Sequence, residues 1–549
     1  MEQRDLRVGI HLIQPFHDFS ASRLALGRVL RARNKFGRSR GSRGFRFWHT
    51  GAITLRFFRT DSGQATVLLF AAIIAFGGCL WGSFHFDDYS LFSGSLWRPF
   101  DIRPLTYLTF WINSKIGGHD PAGYHAVNLL VHLISVVLLW VALRRLVSPR
   151  AAWIAAALFA VHPMDAEAVN YVFARSTLLA TVFCLAALVS WTRERYWLAV
   201  LWFAAALLAK EECVAFPAFL LLLDVARPRP PKWKPLAAMF ALSVAAGVRV
   251  LVAAATIAGS GAGVHSEIPW RSYALAQGAV ILRYLRMLVA PWGFSVDPAI
   301  PVPSLWLGAI AWAAVLALAA AAMFRFRARR EGFWFIAGLV LLLPSSSVLT
   351  ATDLAADRRM YLPMIAFAAC AGLLLERVQP QFAMAALVLL AAVSMARTAT
   401  WRTEESLWAD AVRKAPGKIR PKIQLARAVE PARALAILED ASRIAPDDPK
   451  IPTEEGKILL AQGKVTQALQ VFGRALALDP RSAEAFNNRG AALLALDQKQ
   501  AAREDFERAL GIDPCEWSAR ANLRRLGIVQ GPPSRCHFTD EERAALGTD

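Results

Sequence analysis

Eleven apolar runs occupy the first 400 positions, near 64–82, 124–143, 151–166, 177–192, 197–210, 212–226, 235–257, 305–324, 332–350, 361–376 and 380–397. A membrane-crossing helix needs roughly 20 such residues, so these runs, several of them short, predict an all-α polytopic transmembrane helix bundle of about eleven spans. Composition agrees: 56% of residues are apolar and 19% charged, at a mean hydropathy of +0.36. An ordinary soluble protein is excluded. The net charge of +20 would suit a nucleic-acid binder, but the basic residues cluster in short segments between the runs. That is a mark of membrane topology, and no nucleic-acid partner is expected.

Residues 1–62 form a basic tail, with thirteen Lys/Arg against three acids in the first sixty. It is read as disordered and cytoplasmic. It has no long apolar core followed by a small-residue cleavage site, so the span beginning near Ala65 is expected to remain as an anchor. With that tail inside, the returns to the cytoplasm fall at Arg144/Arg145/Arg150, Arg193/Arg195, Arg227 to Lys234, Arg325 to Arg330 and Arg377. Each satisfies the positive-inside rule. The extracytoplasmic face then receives the Asp87/Asp88 loop, VHPMDAEAVNYVFARS, AKEE at 209–212, the loop from Gly259 to Ser304, and ATDLAADRRMYLP. The segment 272–293 carries Arg283 and Arg286 at its centre and reads as an amphipathic helix lying at the interface.

After Arg397 the composition turns to alternating Ala, Leu, Lys, Glu and Arg. Pro446, Pro480 and Pro514 stand 34 residues apart, and on that register Gly456 aligns with Gly490, Ala468 with Ala502, Phe472 with Phe506 and Ala475 with Ala509. This is the small-and-aromatic pattern of tetratricopeptide (TPR) repeats. The expected domains are the tail 1–62, a transmembrane domain 63–398, a TPR solenoid 399–528 and a polar C-terminal tail 529–549. Cys79, Cys184, Cys213 and Cys370 lie in or beside apolar runs as small hydrophobes, and no cysteine has metal-ligand spacing. If the repeats lie in an oxidising compartment, Cys515 and Cys536 can pair.

Asp87 and Asp88, in FHFDDYSL at the membrane edge, fit two roles. They can be solvated loop acids or a helix cap, or one can be the base of an active site at the membrane surface. The aromatics Trp97, Phe100, Tyr107, Phe110 and Trp111 fit either a sugar-stacking platform or an interfacial belt. Ordered blocks bear on the choice. FHFDDYSL with RPL at 103–105, YHAVNLLVHLISVVLLW, FAVHPMDAEAVNYVFARSTLLA, AKEECVAFPAFLLLLD, ILRYLRMLVAPWGFSVD, ADRRMYLP and WRTEESLWADAV follow one another as in one family. The chain resembles GT-C fold membrane glycosyltransferases with C-terminal TPR repeats, the transmembrane-and-TPR protein O-mannosyltransferases and their bacterial relatives. It departs from them in carrying RSTLLA where relatives tend to have an acid after the serine, and in its long basic tail.

The resemblance implies inverting transfer of a mannose-like sugar from a polyprenyl-phosphate donor to a hydroxyl of a protein acceptor. It makes Asp87 and Asp88 the catalytic candidates, with Asp87 as base. Arg358, Arg359 and Tyr361 are expected to bind the donor phosphate, guanidinium being suited to phosphate oxygens. His162, Glu167, Arg175, Lys210 and Glu211 are expected to support the site, Lys210 and Glu211 pairing with each other or with the loop acids. No metal or cofactor is expected. The partners are the bilayer, the lipid-linked donor and a protein held by the repeats. The location is a bacterial inner membrane with the repeats outside the cytoplasm. Two rival readings are a transferase acting on a lipid or glycan acceptor, and an inactive scaffold whose repeats recruit envelope proteins.

Overall fold

The computed structural model describes residues 60–92, 103–227, 230–256, 268–326, 330–346 and 353–531, together with Cys536 and Leu546. The basic tail through residue 59, Trp97, Phe100 and most of the polar tail lie outside these residues. The described residues are helical, with no strand among them. Contacts divide the chain into a membrane unit, Gln64–Leu425, and a unit containing the repeats from Ala426 onward.

Each of the eleven apolar runs forms a helix: Asp61–Phe76, Pro121–Leu143, Pro149–Val161, Arg175–Thr192, Tyr196–Ala209, Phe216–Ala226, Trp233–Thr256, Leu305–Phe326, Arg330–Leu342, Met364–Leu375 and Pro380–Thr400. Six of them, some with the single turn that precedes or follows, are long and apolar enough to cross a bilayer. The other five have 11 to 14 residues, or roughly 16–21 Å at 1.5 Å per residue, short of the ~30 Å hydrocarbon layer. They stop short at the same end. There the missing turns are replaced by 3-10 turns, Pro163–Asp165, Glu211–Ala215, Leu343–Ser345 and Asp357–Met360, which pack in two pairs, the first on the last and the second on the third. Polar residues are thereby carried into a layer that full-length helices would have filled with apolar side chains.

The basic returns collect at the other end. Arg150 donates to the Val378 carbonyl at 2.8 Å, Arg227 to the Arg145 carbonyl at 3.3 Å, and Arg377 pairs with Glu331. The two faces expected from the charge pattern are thus separate in space. The segment around 272–293 is the helix Trp270–Val289, and one side of it meets the polar layer along its length. Arg359 donates to the Tyr273 hydroxyl, Gln277 to the Leu354 carbonyl, Arg283 to Asp357, Tyr284 to the Ala356 carbonyl, and the Leu288 carbonyl contacts His162. One helix had no counterpart in the sequence reading, Pro104–Gly117, which places Thr106, Phe110 and Asn113 in the interior.

In the repeat unit the helices Lys450–Ala461 and Val465–Leu478, then Ala483–Ala495 and Lys499–Ile512, form two helical hairpins, followed by Trp517–Arg525. The aligned small and aromatic columns meet within each hairpin. A Cβ added at Gly456 would lie 2.4 Å from the Phe472 ring, and one at Gly490 2.7 Å from Phe506. Cys515 and Cys536 form a disulfide, their Cα atoms 5.4 Å apart.

The helix Glu404–Lys414, expected to lead the repeats, packs with the membrane unit. Arg397 on the last apolar helix pairs with Asp410 at 3.0 Å, and Trp401, Leu407 and Trp408 are buried.

Candidate active site at the loop end of the bundle

The paired aspartates follow a short loop and sit on the 3-10 turn Phe86–Phe92. They point in opposite directions. Asp88 is fully buried, its carboxylate accepting from the His85 amide at 2.9 Å and the Phe173 amide at 2.7 Å. Burial raises its pKa well above the usual carboxylate range, and those backbone amides act against the rise. Asp88 therefore fastens the first loop to the 3-10 turn Val172–Ala174. Asp87 is exposed, and its Oδ2 accepts the Tyr171 hydroxyl at 2.9 Å.

Tyr171 joins the acid to the cation. The Arg358 guanidinium lies 5.7 Å from the centre of the Tyr171 ring, and it forms an ion pair with Glu167. Glu167 is buried, and its other oxygen accepts the Asp357 amide at 2.9 Å. Burial raises the Glu167 pKa and Arg358 opposes it. The guanidinium is held protonated by that carboxylate. The Arg358 side chain is 28% exposed.

Arg359 turns the other way. It is buried and donates to the Tyr273 hydroxyl and to the carbonyls of Leu354 and Asp353, so its donors are engaged in holding the loop before it. Tyr361 is fully buried in the bundle, its hydroxyl 2.8 Å from His132 Nδ1. The structure does not place these two beside Arg358 as an exposed phosphate cradle.

The supporting residues are structural links. His162 accepts the Met164 amide on Nδ1 and donates from Nε2 to the Leu288 carbonyl, and burial lowers its pKa to about 4. Arg175 is fully buried and donates to the side-chain oxygens of Asn128, Asn113 and Thr109 and to the Tyr124 carbonyl, with Phe110 4.3 Å from its guanidinium carbon. Neutral oxygens and an aromatic face replace the water that this cation has lost. Lys210 does not pair with Glu211. It bonds Thr177 and pairs with Glu212 at 2.9 Å, while Glu211 receives a two-pronged contact from Arg103, one of the RPL residues. Burial alone would raise the Glu211 pKa, but Arg103 brings it down to about 2.

Sequence reasoning passed over Tyr171, Trp401 and Trp408, although all three stand inside blocks it singled out. Trp401 stacks on Tyr171 with ring centres 6.1 Å apart, and its carbonyl lies 2.8 Å from His85 Nε2. Of the aromatic cluster, Phe110 and Tyr107 pack with Phe84 and Tyr124 beneath the loop.

Comparison with known proteins finds two matching segments. Residues 98–253 match the family described as dolichyl-phosphate-mannose-protein mannosyltransferase, and residues 453–514 match the tetratricopeptide repeat. The chain resembles the protein O-mannosyltransferases that carry such repeats. Among relatives, it is 34% identical over 163 residues to protein O-mannosyl-transferase TMTC3 of Mus musculus, a match spanning 25% of this chain and 18% of that protein. It is 31% identical over 157 residues to protein O-mannosyl-transferase F38B6.6 of Caenorhabditis elegans, across 24% of this chain and 23% of the relative. The matches thus span less than a quarter of these relatives' own length. Among solved structures, ArnT from Cupriavidus metallidurans bound to undecaprenyl phosphate aligns over 89% of this chain and 85% of its own, at 14% identity and a TM-score of 0.38. A likeness that loose leaves the fold to be read from the helices themselves.

Proposed function

We propose that this chain is a membrane glycosyltransferase of the GT-C type, moving a mannose-like sugar with inversion from a polyprenyl-phosphate donor to a hydroxyl of a protein acceptor. The observation that carries the reading is the single tyrosine between Asp87 and Arg358. A hydroxyl is a poor nucleophile until a positioned carboxylate takes its proton, and a departing phosphate is stabilised by a fixed cation. Asp87 is the exposed acid and serves as base. Arg358, preset by Glu167, serves as the phosphate-side cation. Tyr171 holds both and sets the spacing between them.

Names of relatives support the sugar and the acceptor class, and the separation of basic returns from mixed loops supports an active face away from the cytoplasm. On that topology the repeats also lie outside, where a disulfide between Cys515 and Cys536 persists, and they hold the acceptor or a partner protein. The location is a bacterial-type inner membrane. The chemistry assigned to these residues calls on no metal.

The test is turnover of polyprenyl-phosphate mannose by purified chain, with release of sugar to water or to acceptor peptides measured for wild type and Asp87→Asn. Loss of turnover with retained donor binding supports the reading. Equal rates for both proteins overturn it.

A further inference from the structure

Phe86, immediately before Asp87, has a positive φ of 50°. Left-handed backbone is unfavourable for a bulky side chain and persists only where the surroundings over-determine it. Here they do. The Phe86 ring meets Trp408 edge-on with centroids 5.0 Å apart, Tyr171 at 5.6 Å and Trp401 at 6.4 Å. The flanking backbone is held from the same side. The Ser83 amide donates to the Arg402 carbonyl at 3.2 Å, and His85 Nε2 lies 2.8 Å from the Trp401 carbonyl.

The segment making these contacts is itself braced. A capping box between Thr403 and Ser406 starts its helix, Arg397 pairs with Asp410, and Lys414 donates to the Phe294 carbonyl at 2.7 Å. The consequence falls on the next residue. With Phe86 left-handed, the chain turns so that Asp87 emerges at the surface under Tyr171 while Asp88 faces inward. Were φ at Phe86 to return to a negative value, the two acids would be re-aimed together.

We propose that Trp408, with Trp401, is a positioning residue for the base, acting through Phe86: it holds the left-handed turn that aims Asp87 at the acceptor hydroxyl. The inference rests on the reading of Asp87 as base. It makes the helix Glu404–Lys414 part of the active site, although its sequence reads as the beginning of the repeats.

The test uses the full chain in lipid nanodiscs with polyprenyl-phosphate mannose as probe. Misplacement of a reacting group by about 1 Å can lower a rate by 10²-fold, so Trp408→Ala should lower kcat by about 10- to 100-fold with donor KM within about twofold. Trp408→Phe, which restores a ring, should recover most of the loss. Phe86→Gly frees the left-handed conformation from its cost, and in that background Trp408→Ala should have little further effect, because two residues acting through one contact are not additive. Hydrogen exchange read by mass spectrometry should quicken in residues 84–92 of Trp408→Ala and stay unchanged in Pro121–Leu143. If Trp408→Ala fails to accumulate, Trp408→Leu, which keeps apolar volume without the ring, carries the same measurements.

Wild-type kcat and exchange in the Trp408 variants, or effects that simply add to those of Phe86→Gly, overturn the proposal. Asp87→Asn separates the two readings. If it is inactive while the Trp408 variants are normal, the base stands and the positioning role falls. If it is fully active, the catalytic reading fails and the positioning of a base fails with it, whatever the exchange shows of loop order.

Discussion

Tyr171 donates its hydroxyl to Asp87 at 2.9 Å while the Arg358 guanidinium lies 5.7 Å from the centre of the same ring. One aromatic side chain therefore sets the distance between an exposed acid and a partly exposed cation, and replacing it should disturb both. Tyr171→Phe keeps the ring under Arg358 and removes only the bond to Asp87. We expect turnover of polyprenyl-phosphate mannose to fall by about 10- to 150-fold, the range of a lost hydrogen bond to a charged group, ~1.5–3 kcal/mol. An unchanged rate would show that Asp87 is placed by other contacts.

Asp87→Asn removes the base without removing bulk and should lower transfer by about 10²–10⁴ at an unchanged protein level. Asp88→Asn should act differently. An amide group can accept only on its oxygen, so one of the two backbone donors, His85 or Phe173, would face an NH₂ group instead. Leaving a buried donor unsatisfied costs about 1–3 kcal/mol, so the expected result is a lower unfolding temperature and faster hydrogen exchange in residues 84–92. A purely kinetic defect with normal exchange would contradict the anchoring role.

The two adjacent arginines should separate in the same way. Arg358→Lys keeps the charge and loses the fork that suits phosphate oxygens, so donor turnover should fall while thermal stability holds. Arg359→Lys should lower stability first, because Arg359 bonds the Tyr273 hydroxyl and the carbonyls of Leu354 and Asp353. Paired melting and kinetic measurements on both variants decide this.

His85 should contribute stability that is lost on acidification, opposed by Asp88 and Glu167, whose raised pKa values act in the other direction. Burial lowers the His85 pKa from 6.5 to about 4, so between those values the unfolded chain binds a proton that the folded loop does not. The His85 contribution then rises with pH across that window and falls as pH drops from about 6.5 toward 4. His162, lowered likewise to about 4, adds to the trend. A pH series of unfolding temperatures should show it as a slope less positive in His85→Gln than in wild type. An identical slope in that variant would remove His85 from the account.

Gly456→Ala tests the repeat unit. The added Cβ would stand 2.4 Å from the Phe472 ring, and overpacking of this kind costs about 1–3 kcal/mol. Faster hydrogen exchange in residues 450–478 is expected, with the membrane helices unaffected. Wild-type exchange in that hairpin would mean the ring has room to move.

The sequence by itself determined the eleven apolar helices, their two polar ends and the repeats, though not the helix Pro104–Gly117. Apolar run length, the placement of arginines and the 34-residue spacing are local or periodic signals, and each depends on a residue's own chemistry against lipid, water or its neighbour one turn away. It also singled out the blocks that carry the site. What composition and spacing left undecided was which member of each pair acts; only the family resemblance favoured Asp87, and nothing favoured either arginine. Asp87 and Asp88, or Arg358 and Arg359, are chemically alike, and only the fold turns one outward and spends the other on amides or carbonyls. The partners of Lys210 and Glu211 likewise depended on Arg103 and Glu212 arriving from elsewhere in the bundle and the turn. Tyr171, Trp401 and Trp408 drew no attention because an aromatic near a membrane edge has many ordinary uses. Their role arises only when the last apolar helix brings residues 401–408 against a loop more than 300 positions earlier, and no local pattern encodes that meeting.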